Sequence, residues 1–340
     1  MFSVFLGILN KKTEVCTICT AATYHTKDHY FGRNLDLEYC YREAVTITPR
    51  NFVLPFRHLA PITKHHAFIG MATIAENYPL YYDGTNEHGL SMAALNFPVS
   101  AKYYTPIERL HNLASFELIP WILGCCKSVA EAKKMLATTN ITNTSFSHEY
   151  PCSPLHWIVS DAHASITVES TDRGLQIYDN PLGILTNEPE FPYHMTNLQN
   201  YLYLTNEEPV NRFAPDLRLK AYSRGMGGMG LPGDLSSASR FVKAAFTKMN
   251  SVSKNSESAS ISQFFHILGS VAQQQGCVKI GNLYEKTVYT SCCNTTRGIY
   301  YYSTYENSQI TGVRLFATDL DEENLVTFPL VKGQQIRMEN

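Results

Sequence analysis

The feature that most constrains the fold is the order in which two kinds of periodicity appear along the chain. Short segments rich in β-branched and aromatic residues, typical of strands, fill the first third, return at residues 155–178 and close the chain. Segments with helical spacing of apolar residues lie near residues 115–136 and 236–273. Strands and paired helices in this order favour a layered α+β protein with two β-sheets inside and helices outside. Alone, the pattern establishes only a mixed α and β class.

The predicted elements can be stated as ranges. Helices are expected at residues 115–126, 236–249 and 260–273, and another begins at a capping box formed by Ser128 and Glu131. Strands are expected at residues 20–25, 30–35, 44–48, 67–74, 89–95, 155–160, 165–169, 174–178, 286–291, 298–303 and 310–316.

Composition excludes several classes of function. The 340 residues carry a formal net charge of -2 without a block of Lys or Arg, so we expect no nucleic-acid partner. No apolar run reaches the roughly 18 residues that a membrane-spanning helix needs, so we expect no membrane insertion. Neither a repeat nor a Pro/Gly/Ser linker divides the chain, so residues 19–340 are predicted to form one domain.

The first 18 residues are interpreted as a leader that is removed from, or absent in, the mature protein. Their apolar run precedes Lys11 and Lys12, whereas a secretory signal carries its positive charges first. The nine cysteines are an odd number, and two pairs are adjacent in sequence. This usage is typical of buried thiols in a reducing compartment, and not of a disulfide framework.

Two short motifs suggest other chemistry but lack the context for it. Gly225, Gly227 and Gly230 match the dinucleotide fingerprint, yet a proline follows at once and no βαβ unit surrounds them. Cys16 and Cys19 form a single C-x-x-C pair without a second pair of zinc ligands. We therefore expect no nucleotide, cofactor or metal, and a thiol or metal-binding module at Cys16 and Cys19 stays as the alternative from another class.

The segment with the most chemical information runs from Cys19 to Asp36 and reads CTAATYHTKDHYFGRNLD. If a strand starts at Cys19 and the chain turns at residues 27–28, residues 30–36 run back beside that strand. Arg33 and Asp36 then lie near its start. A thiol, a guanidinium and a carboxylate are thereby predicted to converge.

Such a group can activate a cysteine that is the first residue of its chain. A thiol with a pKa of about 8.5 is little ionised at neutral pH, and a nearby guanidinium favours the thiolate. A free α-amino group titrates at about 8 and can act as the base. Cys19 would then supply both nucleophile and base, with Arg33 beside the thiolate and Asp36 beside the amine. The simpler alternative is an ion pair between Arg33 and Asp36 beside a buried thiol.

The segment resembles the start of the choloylglycine hydrolase family, which includes conjugated bile acid hydrolases and penicillin V acylases. The likeness extends along nearly all of residues 19–340 and includes the strings YFGRNLD, ITPR, ALNFP, PLHW, LTN, LPGDLSSASRF and GIYYYSTY. It implies an N-terminal nucleophile hydrolase with a four-layer αββα sandwich.

The resemblance also implies roles for residues outside the first hairpin. Asn187 matches a residue of the oxyanion hole, and Asn96 matches one that supports the hole and the cysteine. Arg240 matches the last charged residue of the site. Donors aimed at a developing oxyanion suit amide hydrolysis, and asparagine donates without titrating. Taken singly, Asn96 and Asn187 could form turns, and Arg240 could lie on a helix surface.

The implied substrate is a bile acid conjugated to glycine or taurine, cleaved at its amide. A large apolar body with a charged tail needs a wide apolar mouth, where the resemblance places Leu35, Phe146 and Tyr150. Penicillin V and acyl-homoserine lactones are the alternative substrates. The resemblance further implies a homotetramer in the bacterial cytoplasm.

One departure from the family pattern concerns the start of the chain. Family hydrolases usually begin Met-Cys, whereas here 18 residues precede Cys19. Either these residues are a propeptide cut autocatalytically, or the true start lies further along the chain. Cys16 is a rival nucleophile because a threonine also follows it, but only Cys19 has the family spacing of 14 residues to Arg33.

Overall fold

A seven-stranded sheet contains the hairpin predicted at the start of the chain. A computed structural model describes residues 18–340. The first strand, β1 (Cys19–His25), pairs antiparallel with β2 (His29–Leu37), with Cys19 opposite Leu35 and Ala21 opposite Arg33. The turn between them spans residues 26–28, which confirms the predicted return of the chain beside its own start.

The rest of this first sheet comes from the end of the chain. Its order is β12-β1-β2-β14-β15-β16, and β13 pairs with the free part of β14. The added strands are β12 (Ile184–Leu185), β13 (Val278–Ile280), β14 (Leu283–Asn294), β15 (Ile299–Thr304) and β16 (Asn307–Arg314).

A second sheet of eight strands has the order β11-β10-β9-β6-β5-β4-β3-β17. Its members are β3 (Ala44–Thr48), β4 (Phe68–Ala75), β5 (Tyr78–Asn86), β6 (Ser91–Asn96), β9 (Leu155–Ser160), β10 (Ser165–Thr171), β11 (Gly174–Asp179) and β17 (Val326–Pro329). A small parallel pair, β7 (His111–Ala114) and β8 (Thr139–Thr142), lies apart from both.

Helices cover the outer face of each sheet. The α-helices of the described residues are α1 (Leu118–Cys125), α2 (Val129–Leu136), α3 (Phe191–Asn197), α4 (Ser237–Asn250) and α5 (Glu257–Gly269). One buried cluster joins α4 and α5 to the first sheet and continues between the sheets, and another joins α1 and α2 to the second sheet. The layers therefore follow the order helix, sheet, sheet, helix, as the resemblance implied.

Some boundaries differ from the sequence-based expectations. The helix predicted at residues 115–126 begins with a 3-10 turn, Ser115–Glu117, before α1. The helix predicted at residues 260–273 begins earlier, because the side chain of Ser256 accepts a hydrogen bond from the backbone N–H of Ala259 and caps α5. Strand β5 was not predicted, because its sequence YPLYYDGTN carries a proline, a glycine and polar residues.

The acidic residue inside β5 has a structural reason to be buried. Asp83 is 1% exposed, and its two carboxylate oxygens accept hydrogen bonds from the hydroxyls of Tyr289 and Tyr300, both at 2.7 Å. These bonds cross from one sheet to the other. They replace the hydration that the carboxylate loses on burial, and they fix the two sheets against each other.

Close packing of backbones around β2 makes Gly32 irreplaceable. A Cβ added to Gly32 would lie 2.0 Å from the carbonyl oxygen of Ser291, on the neighbouring β14. We expect Gly32→Ala to lower the free energy of unfolding by about 3 kcal/mol or more, since backbone must shift to admit the methyl group. The control is Gly228→Ala, where an added Cβ would meet no atom of the described part of the chain within 4 Å. Urea unfolding measures both, and equal stabilities would contradict the expectation.

Candidate active site

Cys19 stands at the first position of β1 and is 2% exposed. Its backbone nitrogen donates to Oδ1 of Asn187 at 2.8 Å, and its carbonyl oxygen accepts from Nη1 of Arg240 at 2.5 Å. Both backbone polar groups of the cysteine are thus held by side chains that lie more than 160 positions further along the chain. The position of the thiol is fixed by these two bonds and by the strand itself.

Arg33 reaches the cysteine from the side of the second sheet. Its Nη1 donates to the backbone oxygen of Tyr82 at 3.1 Å and, in a shorter bond, to that of Ala94. The side chain is 1% exposed, and Nη2 has no hydrogen-bond partner within residues 18–340. An unpaired guanidinium nitrogen in a buried site is a donor available to an anionic group.

Asp36 lies on the opposite face of β2, because side chains alternate along a strand. Its Oδ1 accepts from the hydroxyl of Thr287 on β14 at 2.6 Å, and Oδ2 has no partner in the described part of the chain. No ion pair within 4.0 Å joins Arg33 and Asp36 among the described residues. The alternative of a simple ion pair beside the thiol is therefore wrong.

Burial dominates the ionisation of this site. It raises the pKa of the Cys19 thiol above its ordinary value, although the Arg33 charge and the backbone N–H of Asp36 act in the opposite direction. It also raises the pKa of Asp36 to about 6, against the lowering effects of Arg240, Thr287 and Arg33. With Ile18 attached, the thiol is protonated at neutral pH and needs a base before it can react.

Asn96, Asn187 and Arg240 meet around the cysteine. Nδ2 of Asn187 donates to the backbone oxygen of Asn96 at 2.8 Å, and Oδ1 accepts from Nη2 of Arg240 at 2.7 Å. Arg240 also donates to the hydroxyl of Thr20 at 2.6 Å and is 1% exposed. The structure thus brings the predicted residues together, and the interpretation of Arg240 as a surface residue is wrong.

Several supporting residues were not singled out from the sequence. The hydroxyl of Ser237 accepts from the backbone N–H of Asn187 at 2.8 Å, and Nε2 of His194 donates to the carbonyl oxygen of Asn187 at 3.0 Å. Glu285, fully buried, accepts from the backbone N–H of Ile18 at 2.5 Å. No spacing rule marks these residues, because they approach the site only through the packing of distant segments.

The three residues expected to contact substrate separate into two places. Leu35 is 3% exposed, lies opposite Cys19 in the strand register and belongs to the core between the sheets. Phe146 and Tyr150 join another cluster that contains Tyr78, Phe116 and Leu80. Arg57 lies over the ring of Phe146, 5.2 Å from its centroid. Aromatic faces beside a guanidinium can bind a ligand with an apolar body and an anionic end.

One group of residues outside this site offers metal-ligand atoms. Ring nitrogens of His66 and His88 and a carboxylate oxygen of Glu87 lie within 4.8 Å of one another. Arg50 already forms an ion pair with that carboxylate, at 2.6 Å, so a bound cation would compete with a guanidinium.

The glycine motif that matches the dinucleotide fingerprint lies in an irregular loop, where Gly225 and Gly230 have positive φ angles and no βαβ unit surrounds them. Of the C-x-x-C pair, Cys16 lies outside the described residues.

No helix within residues 18–340 combines the length and the apolar character needed to cross a bilayer.

The raised pKa of Asp36 has a measurable effect on stability. The folded carboxyl titrates at about 6 and the ordinary value is 3.8, so the folded chain binds more protons between these values and loses stability as the pH rises. Asp36→Asn cannot titrate. We expect its stability relative to wild type to rise from about pH 4 to about pH 6 and then stay level. Urea unfolding across this range measures the difference, and a difference independent of pH would contradict the expectation.

Comparison with solved structures supports the layer order described above. A variant of the conjugated bile acid hydrolase from Clostridium perfringens matches with a TM-score of 0.88 and 37% identity, covering 95% of this chain and 100% of that chain. Penicillin V acylase from Agrobacterium tumefaciens matches with a TM-score of 0.72 and 17% identity, covering 93% and 92% respectively. The second likeness concerns the fold alone. The expected αββα sandwich is confirmed.

Sequence comparison gives the family. The bile salt hydrolase/transferase of Lactiplantibacillus plantarum is 53% identical over 314 residues, which are 92% of this chain and 97% of that protein. The conjugated bile acid hydrolase of Lactobacillus gasseri is 39% identical over 303 residues, 88% and 96% of the two chains. The model of linear amide C–N hydrolases, choloylglycine hydrolase family, matches residues 16–328. The chain belongs to the choloylglycine hydrolase family.

Proposed function

We propose that this protein hydrolyses the amide bond between a bile acid and glycine or taurine. The observation that carries the proposal is the placement of Cys19, whose nitrogen and carbonyl oxygen are held by Asn187 and Arg240 at the edge of a buried site. The family is one of linear amide hydrolases, and relatives 53% and 39% identical over most of their length are named as bile salt and conjugated bile acid hydrolases.

The proposal requires Cys19 to be the first residue of the active protein. Residues 1–18 are then a leader that is removed, and residues 19–340 form the catalytic domain. Removal converts the backbone nitrogen into an α-amine that titrates at about 8, close enough to neutrality to accept a proton. Burial keeps the thiol protonated, and we assign this amine as the base that removes the thiol proton.

The reaction proceeds through an acyl-enzyme. The α-amine takes the thiol proton, and the sulfur attacks the amide carbon of the substrate. The tetrahedral intermediate collapses when the amine returns the proton to the leaving nitrogen, which departs as glycine or taurine. Water, deprotonated by the same amine, then attacks the thioester and releases the bile acid, and the thiol regains its proton. No side-chain histidine is required.

The other residues act on charges that form during these steps. Arg33, with its unpaired Nη2, stabilises the thiolate, and Asp36 stabilises the protonated amine. Asn187 is assigned to the oxyanion, Asn96 supports that oxyanion hole and the cysteine, and Arg240 fixes the orientation of Asn187. Leu35, Phe146 and Tyr150 are assigned to binding of the steroid body. No cofactor or metal enters the proposed reaction.

Cys19 is the proposed nucleophile. Cys19→Ala is expected to release glycine from glycocholate and taurine from taurocholate at least about 10⁴-fold more slowly than wild type, because alanine has no thiol to form the thioester. Cys16→Ala serves as the control and should retain full activity. Loss of activity in Cys16→Ala with retention in Cys19→Ala would identify the wrong cysteine and overturn the mechanism.

The aromatic cluster around Phe146 is the proposed contact for the apolar body of the substrate. Phe146→Ala removes an apolar ring, and we expect roughly a tenfold rise in KM for glycocholate with little change in kcat. The control, Ile336→Ala, alters an exposed apolar residue of the C-terminal tail and should change neither constant. An unchanged KM in Phe146→Ala would remove this residue from the substrate site.

The alternative substrates use the same chemistry at Cys19. Penicillin V and acyl-homoserine lactones also carry a linear amide, and release of the leaving amine from each of them, measured beside release of glycine from glycocholate, ranks the substrates. The relatives named for bile acids cover most of this chain, whereas the likeness to penicillin V acylase is limited to the fold. We therefore place bile acids first. A homotetramer and a cytoplasmic location belong to the proposal as implied by the resemblance.

A further inference from the structure

Glu285 is a buried acidic residue that the proposed hydrolysis does not use. It lies on β14, two positions before Thr287, whose hydroxyl binds Asp36. Its side chain is 0% exposed, and no Lys or Arg forms an ion pair with it among the described residues. Burying a carboxyl group without a cationic partner costs free energy, so we expect a hydrogen-bond donor that compensates for the burial of Glu285.

The partner in this structure is the residue that precedes the nucleophile. Oε1 of Glu285 accepts a hydrogen bond from the backbone N–H of Ile18 at 2.5 Å. The backbone N–H of Cys19 donates to Oδ1 of Asn187 at 2.8 Å, and the carbonyl oxygen of Cys19 accepts from Nη1 of Arg240. The peptide bond between Ile18 and Cys19 is therefore held on both sides.

Unmatched polar atoms surround this contact. Oε2 of Glu285, Oδ2 of Asp36 and the side-chain amide of Gln273 are buried without a hydrogen-bond partner within residues 18–340. Gln273 is linked to the same place, because its backbone N–H donates to Thr287 at 2.7 Å. Burial raises the pKa of Glu285 to about 8; the charge of Asp36 reinforces this rise, and the Ile18 N–H and the charge of Arg240 oppose it. The carboxyl is therefore largely neutral at pH 7, and a neutral carboxyl needs no ion pair to remain buried.

We propose that Glu285 positions the leader for its own removal by binding the Ile18 amide and holding the Ile18–Cys19 peptide against the Cys19 thiol. This inference rests on the proposed function, since it supplies the free amine that the hydrolysis needs. Glu285 is a positioning residue here, because it touches the backbone of the leader and not the atoms that exchange bonds.

The cleavage balances with water as the co-reactant. The sulfur of Cys19 bonds to the carbonyl carbon of Ile18, and the bond from that carbon to the nitrogen of Cys19 breaks. The thiol proton passes to that nitrogen as the bond breaks, and the nitrogen becomes the α-amine. Water then adds to the thioester, the carbon–sulfur bond breaks, and the thiol regains a proton. The leader departs with a carboxylate on Ile18, and Glu285 loses its hydrogen-bond donor.

Intact mass, followed during cell-free synthesis of the full chain, tests the inference. Wild type should lose the mass of residues 1–18, and Cys19→Ala should keep it. Glu285→Gln retains a carbonyl oxygen and should cleave at a rate close to wild type. Glu285→Leu removes the acceptor, and Glu285→Asp withdraws it by one carbon while keeping the carboxyl. Both should cleave at least about tenfold more slowly, the loss expected for one strong hydrogen bond.

A matched control separates positioning from stability. Glu117 is another buried glutamate whose oxygens accept backbone N–H groups, those of Arg57 and Ala114. Glu117→Leu should lower the melting temperature without slowing loss of the leader. If Glu285→Leu does not fold, Glu285→Asp decides the matter, because it keeps the chemistry of the buried group.

The outcomes distinguish this inference from the proposed function. Cleavage of Glu285→Asp at the wild-type rate, equal slowing in Glu285→Gln, or loss of the leader from Cys19→Ala would each overturn the role of Glu285. A protein that loses its leader as expected but releases no glycine from glycocholate would overturn the proposed function alone. Bile salt hydrolysis by a chain that still carries its leader would overturn the role of Glu285 and the free-amine mechanism, but not the proposed activity.

Discussion

The hydrogen bond from the backbone nitrogen of Cys19 to Oδ1 of Asn187 is the interaction on which the site depends. It joins the first residue of β1 to the segment that follows β12, and Arg240 reinforces it by donating to the same oxygen. Arg240 also binds the carbonyl oxygen of Cys19, so one guanidinium fixes both partners. Cys19, Asn187 and Arg240 come from three segments that are distant in sequence. The packing of the two sheets brings these segments together and thereby sets the positions of the charged groups of the site.

Burial has opposite consequences for the two charged residues of the first hairpin. Arg33 remains a cation because backbone carbonyl oxygens and nearby anionic groups compensate for its lost hydration. Within residues 18–340, Asp36 receives only one hydrogen bond to its carboxylate, from Thr287, and burial raises its pKa to about 6. The site therefore keeps a permanent positive charge, while its negative charge varies with pH. A thiolate is better tolerated under that balance than it would be beside two fixed anions.

The sequence predicted the local part of the site and not the distant part. The convergence of Cys19, Arg33 and Asp36 follows from one hairpin, whose register is set by a short turn and by alternation along the strand. Asn96, Asn187 and Arg240 required the resemblance, since their approach depends on packing between layers. Neither the hairpin pattern nor the resemblance indicated residues such as Glu285 and His194, because a single buried polar residue forms no recognisable sequence pattern. Strand β5 was not predicted because its sequence is polar in part. The burial of its Asp83 depends on hydrogen bonds from tyrosines of the other sheet, which no local pattern indicates.

The placement of Arg33 and Asp36 on opposite faces of β2 makes this hairpin intolerant of changes in length. One residue inserted into or deleted from the strand beyond the turn would send the guanidinium toward the helices and the carboxylate into the space between the sheets. Arg33 would then lose its contacts with the backbone oxygens of the second sheet, and Asp36 would lose its hydrogen bond from Thr287. Variation in chain length among proteins of this design should therefore accumulate in the surface loops, while the distance in sequence from nucleophile to arginine stays constant.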